Sequence, residues 1–255
     1  MTQLSSVTQF LDSLLDPQKY QDASLNGLQV ETKNREIKKV CFAVDAGLTV
    51  IEEAIQQEAD LLVVHHGLFW GECQAIRGAL GQKIHLLMQH GCSLYASHLP
   101  LDGNMEVGNA AEIARFLSLS QVTPFCEYKG ATIGASGTAP RELSFSSLLE
   151  KLATIPGASL PFLQLMFGNN ERCSRIAIVT GSGAFALPVA VQEGFDLFIS
   201  GEPKHEVFHM AQELQANALF IGHYASETFG VRAVAERIEQ TLELKTGFID
   251  IPSGI

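Results

Sequence analysis

The chain has few basic residues and no basic run. Its 255 residues carry 17 Lys or Arg against 28 Asp or Glu, a formal charge of -11. That balance argues against a nucleic-acid partner held by phosphate contacts and against an anionic membrane surface. No apolar run approaches the length that crosses a bilayer. The opening Met1-Thr2-Gln3-Leu4-Ser5-Ser6 has neither the basic stretch nor the apolar core of a secretion signal. The five cysteines (Cys41, Cys73, Cys92, Cys126, Cys173) are odd in number and show no Cys-x-x-Cys pair. Reduced, mostly buried thiols are expected rather than a disulfide frame. Together these features predict a soluble, cytoplasmic protein. Hydrophobic residues at 46% and charged ones at 18% are ordinary for a globular chain, and the length suits one large domain or two of about 125 residues.

One pattern occurs twice: leucine, aromatic, two residues, histidine, three residues, acid. Leu94-Tyr95-Ala96-Ser97-His98 leads to Asp102, and Leu219-Phe220-Ile221-Gly222-His223 leads to Glu227. Each copy is a short apolar run of the kind that reads as a buried strand, and residues just past such strand ends line clefts in open α/β sheets. The echo extends upstream. Val40–Gly47 as a strand entering a tight turn, helix Thr49–Glu58 and strand Ala59–Val64 are repeated as strand Ile176–Thr180, turn Gly181-Ser182-Gly183, helix Phe185–Gln192 and strand Asp196–Ile199. Further helices are read over Gly81–His90, Lys204–Gln215 and Ser226–Glu239. Alternating strands and helices imply βαβ units and largely parallel sheets.

The expected fold is therefore α/β: two related α/β domains from an internal duplication, with a dinuclear metal site in the cleft between them. The Gly-, Ser- and Pro-rich stretch that begins at Pro124 puts the boundary there. Residues 1–124 form the first half and 125–255 the second, and the final helix can pack on either.

Val63-Val64-His65-His66-Gly67 places two imidazoles at the end of a buried strand. Adjacent strand residues point to opposite faces, so one ion per imidazole in a dinuclear site is a more natural solution than one shared ion. Gly67 permits a sharp turn. His98, Asp102, His223 and Glu227 should lie on the same rim, and a carboxylate able to bridge two ions is available in Asp102 or Glu227. Imidazole and carboxylate donors without a nearby thiolate suit Zn, Mn, Fe or Co. The bland alternatives are a hydrogen-bonded pair of core histidines and, for Glu227, a charge at a helix N-terminus.

His205-Glu206-Val207-Phe208-His209 matches the zinc-protease pattern His-Glu-x-x-His. The apolar stripe of its helix (Val207, Met210, Ala211, Leu214) faces away from both histidines, which disfavours a metalloprotease. Gly181-Ser182-Gly183 reads as a tight turn with an anion site as the alternative. Asn26-Gly27-Leu28-Gln29-Val30 reads as a turn into a strand. Phe69-Trp70 either flanks a substrate ring or seals the core or a subunit contact.

Asn26 to Glu31, His65-His66-Gly67-Leu68-Phe69-Trp70, His98 to Asp102, Ser200-Gly201-Glu202 and Gly222 to Glu227 occur in an order that resembles the NIF-three-like family, often labelled GTP cyclohydrolase I type 2 homologues. The likeness is to its short bacterial form and spans nearly the whole chain. It implies a ring-shaped homohexamer with inward-facing metal sites. It also implies His65, His66, Asp102, His223 and Glu227 as ligands of two divalent ions, and His98 as a proton-transfer group beside them. A purine nucleotide such as GTP is the implied small-molecule substrate, hydrolysed at its ring. A non-catalytic metal-binding regulatory or interaction protein is the alternative.

Overall fold

The computed structural model describes residues 2–141, 143–158, 160–168 and 173–255. It is a mixed α/β protein whose chain divides into two compact units. The first comprises Met1–Leu101 and Val231–Ile251, the second Asp102–Gly230 and Pro252–Ile255.

The first unit contains β1 (Thr2–Gln3), α1 (Leu4–Leu15), β2 (Gly27–Val30), β3 (Glu36–Ile37), β4 (Lys39–Asp45), α2 (Leu48–Gln56), β5 (Leu61–His66), α3 (Gly78–His90) and β6 (Ser93–Ala96). The short helix α4 (Leu99–Asp102) runs across the boundary. The second unit contains α5 (Asn109–Phe116), β7 (Ser120–Tyr128), β8 (Ala131–Thr138), α6 (Phe145–Leu152), β9 (Leu163–Met166), β10 (Arg175–Val179), α7 (Leu187–Gln192), β11 (Leu197–Ser200), α8 (Val207–Glu213) and β12 (Asn217–Phe220). Helix α9 (His223–Leu242) starts in the second unit and ends in the first, which β13 (Lys245–Phe248) completes.

The main sheet of the first unit has the order β13-β4-β5-β6-β2, with only β2 antiparallel to its neighbour. β4 and β5 are near-continuous apolar runs, as parallel strands covered on both faces require. Cys41, Ala43, Leu62, Val64 and Leu94 pack with Ile51 and Ala54 of α2 and Leu87 of α3 in one buried cluster. The second unit has the order β7-β8-β10-β11-β12-β9. Its β10, β11 and β12 are parallel, joined through α7 and α8 just as β4, β5 and β6 are joined through α2 and α3. Ile113 and Ala114 of α5, Leu148 and Leu152 of α6, and Ile178, Ile199 and Leu219 of the strands form its core.

The division falls between Leu101 and Asp102, not near Pro124. Pro124 lies inside β7, an edge strand paired to β8. An edge is where a strand tolerates a residue without an N–H, so the proline marks a sheet edge rather than a linker. The final helix is also longer than expected, starting at His223 rather than Ser226. Among the described residues no helix is long and apolar enough to cross a membrane.

Candidate metal centre

In the first unit, β5 ends on His65 and His66, and His98 follows β6. His65 is fully buried. Its Nδ1 lies 2.9 Å from the Ser97 carbonyl oxygen. A carbonyl only accepts, so His65 donates through Nδ1 and its Nε2 is the acceptor nitrogen. His66 Nδ1 lies 2.8 Å from Asp45 Oδ1, and Asp45 is its register partner on β4.

His98 Nδ1 lies 2.9 and 3.0 Å from the two oxygens of Asp22. Asp22 also accepts from the backbone N–H of Ser24 at 3.1 Å, from Asn26 Nδ2 at 3.0 Å and from the Leu99 N–H at 3.0 Å. Burial pushes the Asp22 carboxyl up. The hydrogen bond and charge of His98, with Asn26 and the Ser24 N–H, outweigh it and hold the group well below the usual carboxylate range. The three imidazoles each offer a nitrogen within 4.8 Å of the other two.

The turn after His66 is held by Gln29, in the segment read from sequence as a turn into a strand. A Cβ on Gly67 would fall 2.4 Å from Gln29 Nε2 and 2.6 Å from Ala96 Cβ. Close approach, not a left-handed backbone, therefore demands glycine there. Gln29 Oε1 accepts from the Leu68 N–H at 2.7 Å, and Asn26 Oδ1 accepts from the His98 N–H at 2.8 Å. The Asn26 to Val30 segment is thus the scaffold of the histidines. Trp70 packs edge-on to His98, with ring centroids 4.9 Å apart.

The second unit supplies the acids and one more histidine. Asp102 is buried at the end of α4. Its Oδ1 accepts from Asn109 Nδ2 at 2.9 Å and Thr180 Oγ1 at 3.0 Å. Asn109, fully buried, in turn accepts the Gly230 N–H at 2.7 Å. His223 opens α9, and Glu227 sits one turn on, so the His-x-x-x-acid spacing here is an i, i+4 helical pair. His223 Nε2 lies 3.1 Å from Glu227 Oε2 and its Nδ1 3.3 Å from Glu202 Oε1. Burial draws the His223 imidazole down, but the hydrogen bond and charge of Glu227, with Glu202, raise it to about 9. Glu202 belongs to the Ser200-Gly201-Glu202 loop, which carries part of the family likeness without being implied as a ligand, and it faces His223 Nδ1.

Asp102 and Glu227 place carboxylate oxygens within 4.8 Å of one another, both of them buried. Two ionised carboxylates at that spacing repel by about 3 kcal/mol at an effective dielectric of ~20, a penalty that a bound cation removes. Gly181 leaves room beside them. Its φ is +56°, and a Cβ there would fall 2.2 Å from Glu227 Oε1 and 3.2 Å from His223 Nε2. Glycine at this turn is required by the approach of the acid and the histidine.

The donor chemistry of both sets fits divalent transition-metal ions. Imidazoles anchored at Nδ1 by carbonyl or carboxylate are the usual outer arrangement of metal-binding histidines, and neither set contains a thiolate. His205 and His209 belong to neither set. Both are exposed, and His205 precedes the first turn of α8.

Two α/β units, each carrying histidine and acid side chains past the ends of its parallel strands, bring together groups that could hold a metal ion. The chain belongs to the Duf34/NIF3 (NGG1p interacting factor 3) family, whose model matches residues 2–253. It is 44% identical over 252 residues, 99% of each chain, to a protein of Archaeoglobus fulgidus named GTP cyclohydrolase 1 type 2 homolog. It is 40% identical over 236 residues, 92% of this chain and 88% of the other, to a Deinococcus radiodurans protein of the same name. The crystal structure of TTHA1606 from Thermus thermophilus superposes with a TM-score of 0.89 at 39% identity, covering 100% of both chains.

Proposed function

We propose that this protein is a dinuclear metal-dependent hydrolase of a small molecule, built from two related α/β halves by duplication, with the ions held in the cleft between them. His65 and His66 from one half and Asp102, His223 and Glu227 from the other are the ligands. The observation that carries the reading is the pair of buried carboxylates, Asp102 and Glu227, with oxygens within 4.8 Å of one another. Buried acids this close call for cationic charge.

Two divalent ions of the Zn, Mn, Fe or Co type, when bound, supply the Lewis acidity that activates water and polarises the bond under attack. The chain's own groups prepare for them. Ser97 and Asp45 fix the two strand-end histidines with Nε2 as the acceptor, and Thr180 and Asn109 orient Asp102. His223 gives up its proton on binding, since a ligating imidazole is neutral.

A purine nucleotide, GTP first, is the substrate that the relatives' name suggests. Metal-reconstituted protein incubated with GTP is expected to release formate, and His65→Ala to abolish the release. Full metal loading with no turnover of any nucleotide would favour the alternative, a metal-carrying regulatory protein. The proposal includes a ring-shaped homohexamer, to be checked by light scattering coupled to size exclusion.

A further inference from the structure

Beside the histidines, and wholly within the first unit, lies a cavity of about 440 Å3. Residues 23–25 and 69–71 frame it as a short antiparallel pair. The Leu25 N–H donates to the Phe69 carbonyl at 3.0 Å, the Gly71 N–H to the Ala23 carbonyl at 2.7 Å, and Ser24 stands opposite Trp70. Leu25, Phe69, Trp70 and Ile76 give the cavity apolar and aromatic walls. Leu25 and Ile76 are 57% and 62% exposed, so large apolar side chains stand open to solvent at its mouth. A cavity of this size, mostly apolar with a few polar groups, suits a small molecule.

Trp70 is held rigidly and belongs to two places at once. Its Nε1–H donates to the Gly67 carbonyl at 2.9 Å. Its ring centroid lies 4.9 Å from that of His98 and 6.0 Å from that of His66. One aromatic ring is therefore both a wall of the cavity and a neighbour of the imidazoles. The polar lining selects charge. Asp22 and Glu72 line the cavity, and among the described residues that do so there is no Lys or Arg. The Asp22 oxygens already accept from His98 and the Leu99 N–H, whereas Glu72 is exposed. Carboxylates without a cation repel phosphate and favour a ring that carries N–H donors.

We infer that this cavity binds the planar, N–H-bearing heteroaromatic ring of a small molecule, stacked against Trp70, with any phosphate directed out of it. Phe69-Trp70 thus flanks a ligand ring rather than sealing the core. The inference deepens the function proposed above and rests on it for taking a purine as that ring.

Trp70 is the single tryptophan of the chain, so its fluorescence reads the cavity without a label. Full-length, chelator-stripped protein is titrated with guanosine, excited where the purine does not absorb, with ribose 5-phosphate as the control. Guanosine should quench Trp70 saturably, and ribose 5-phosphate should leave it unchanged. Cys73, exposed and lining the same cavity, should lose most of its reactivity toward iodoacetamide at saturating guanosine. By calorimetry, Trp70→Ala should weaken guanosine binding about 5- to 150-fold and Trp70→Phe by less than about tenfold. If Trp70→Ala loses its far-ultraviolet circular dichroism, Trp70→Leu takes its place.

No saturable quenching, or quenching that leaves Cys73 as reactive as before, would overturn the inference. Trp70 emission that follows protein concentration rather than guanosine would assign the cavity to a second copy of the chain and overturn it too. Formate release from GTP without this binding would overturn the inference and leave the hydrolase standing. Binding without turnover would support the inference while the hydrolase gives way to its metal-carrying alternative.

Discussion

The Nδ1 of His66 lies 2.8 Å from Oδ1 of Asp45, its register partner on the adjacent parallel strand. Partners in register stand on the same face of a sheet, so β4 carries the group that orients the histidine at the end of β5. Asp45→Ala should lower divalent-metal affinity by about 10- to 100-fold. The Asp45 side chain is 45% exposed, so the same change should alter stability by less than about 1 kcal/mol. Metal titration beside a thermal melt of the metal-free protein checks both halves of this expectation.

His223 governs the pH dependence. Its imidazole is raised from 6.5 to about 9 in the metal-free fold. A raised histidine contributes stability that is fully present below its unfolded value and is lost as pH rises through its folded one. The metal-free protein should therefore lose part of its stability between pH 6.5 and about 9. Metal uptake must displace the same proton, so affinity should climb over that range. Calorimetric titrations with Zn2+ at neutral pH, in buffers of different ionisation enthalpy, should report proton release, and the release should be smaller in His223→Ala.

Gly181→Ala puts a Cβ 2.2 Å from Glu227 Oε1 on a backbone of φ +56°. The left-handed conformation alone is expected to destabilise by about 1–3 kcal/mol, and displacement of Glu227 should lower metal retention as well. Denaturant melts of the metal-free protein and metal analysis of the reloaded one measure the two effects separately.

The His-Glu-x-x-His pattern makes the opposite prediction. His205 and His209 are exposed and lie outside both ligand sets. His205→Ala and His209→Ala should leave metal content unchanged and shift stability by no more than about 0.5 kcal/mol. Loss of metal in either variant, seen by elemental analysis, would reopen the protease reading.

Much of this was legible in the sequence. The apolar runs of β4, β5 and β12 and the helical spacing of Val50, Ile51 and Ala54 announced elements that the structure contains, because burial on both faces leaves a continuous signal. The histidines and acids past the strand ends were visible for the same reason. What stayed hidden was what holds them. Asp22 reaches His98 across 76 residues and Asp45 reaches His66 across 21, and no local pattern encodes such pairings. Asp45 did leave a trace, as an acid closing a strand whose neighbour closes on histidine. Pro124 misled because an edge-strand proline and a linker proline look alike in sequence. The start of α9 was missed because Gly222-His223-Tyr224 lacks a side-chain cap of the usual kind.

The central claim is that these side chains exist to hold metal, and elemental analysis tests it most directly. Wild-type protein stripped with a chelator, reloaded with Zn2+, Mn2+, Fe2+ or Co2+ and freed of excess ion should retain about two ions per chain, with retention reduced in His65→Ala and in Glu227→Gln. Folded wild-type protein that retains none of these ions would contradict it.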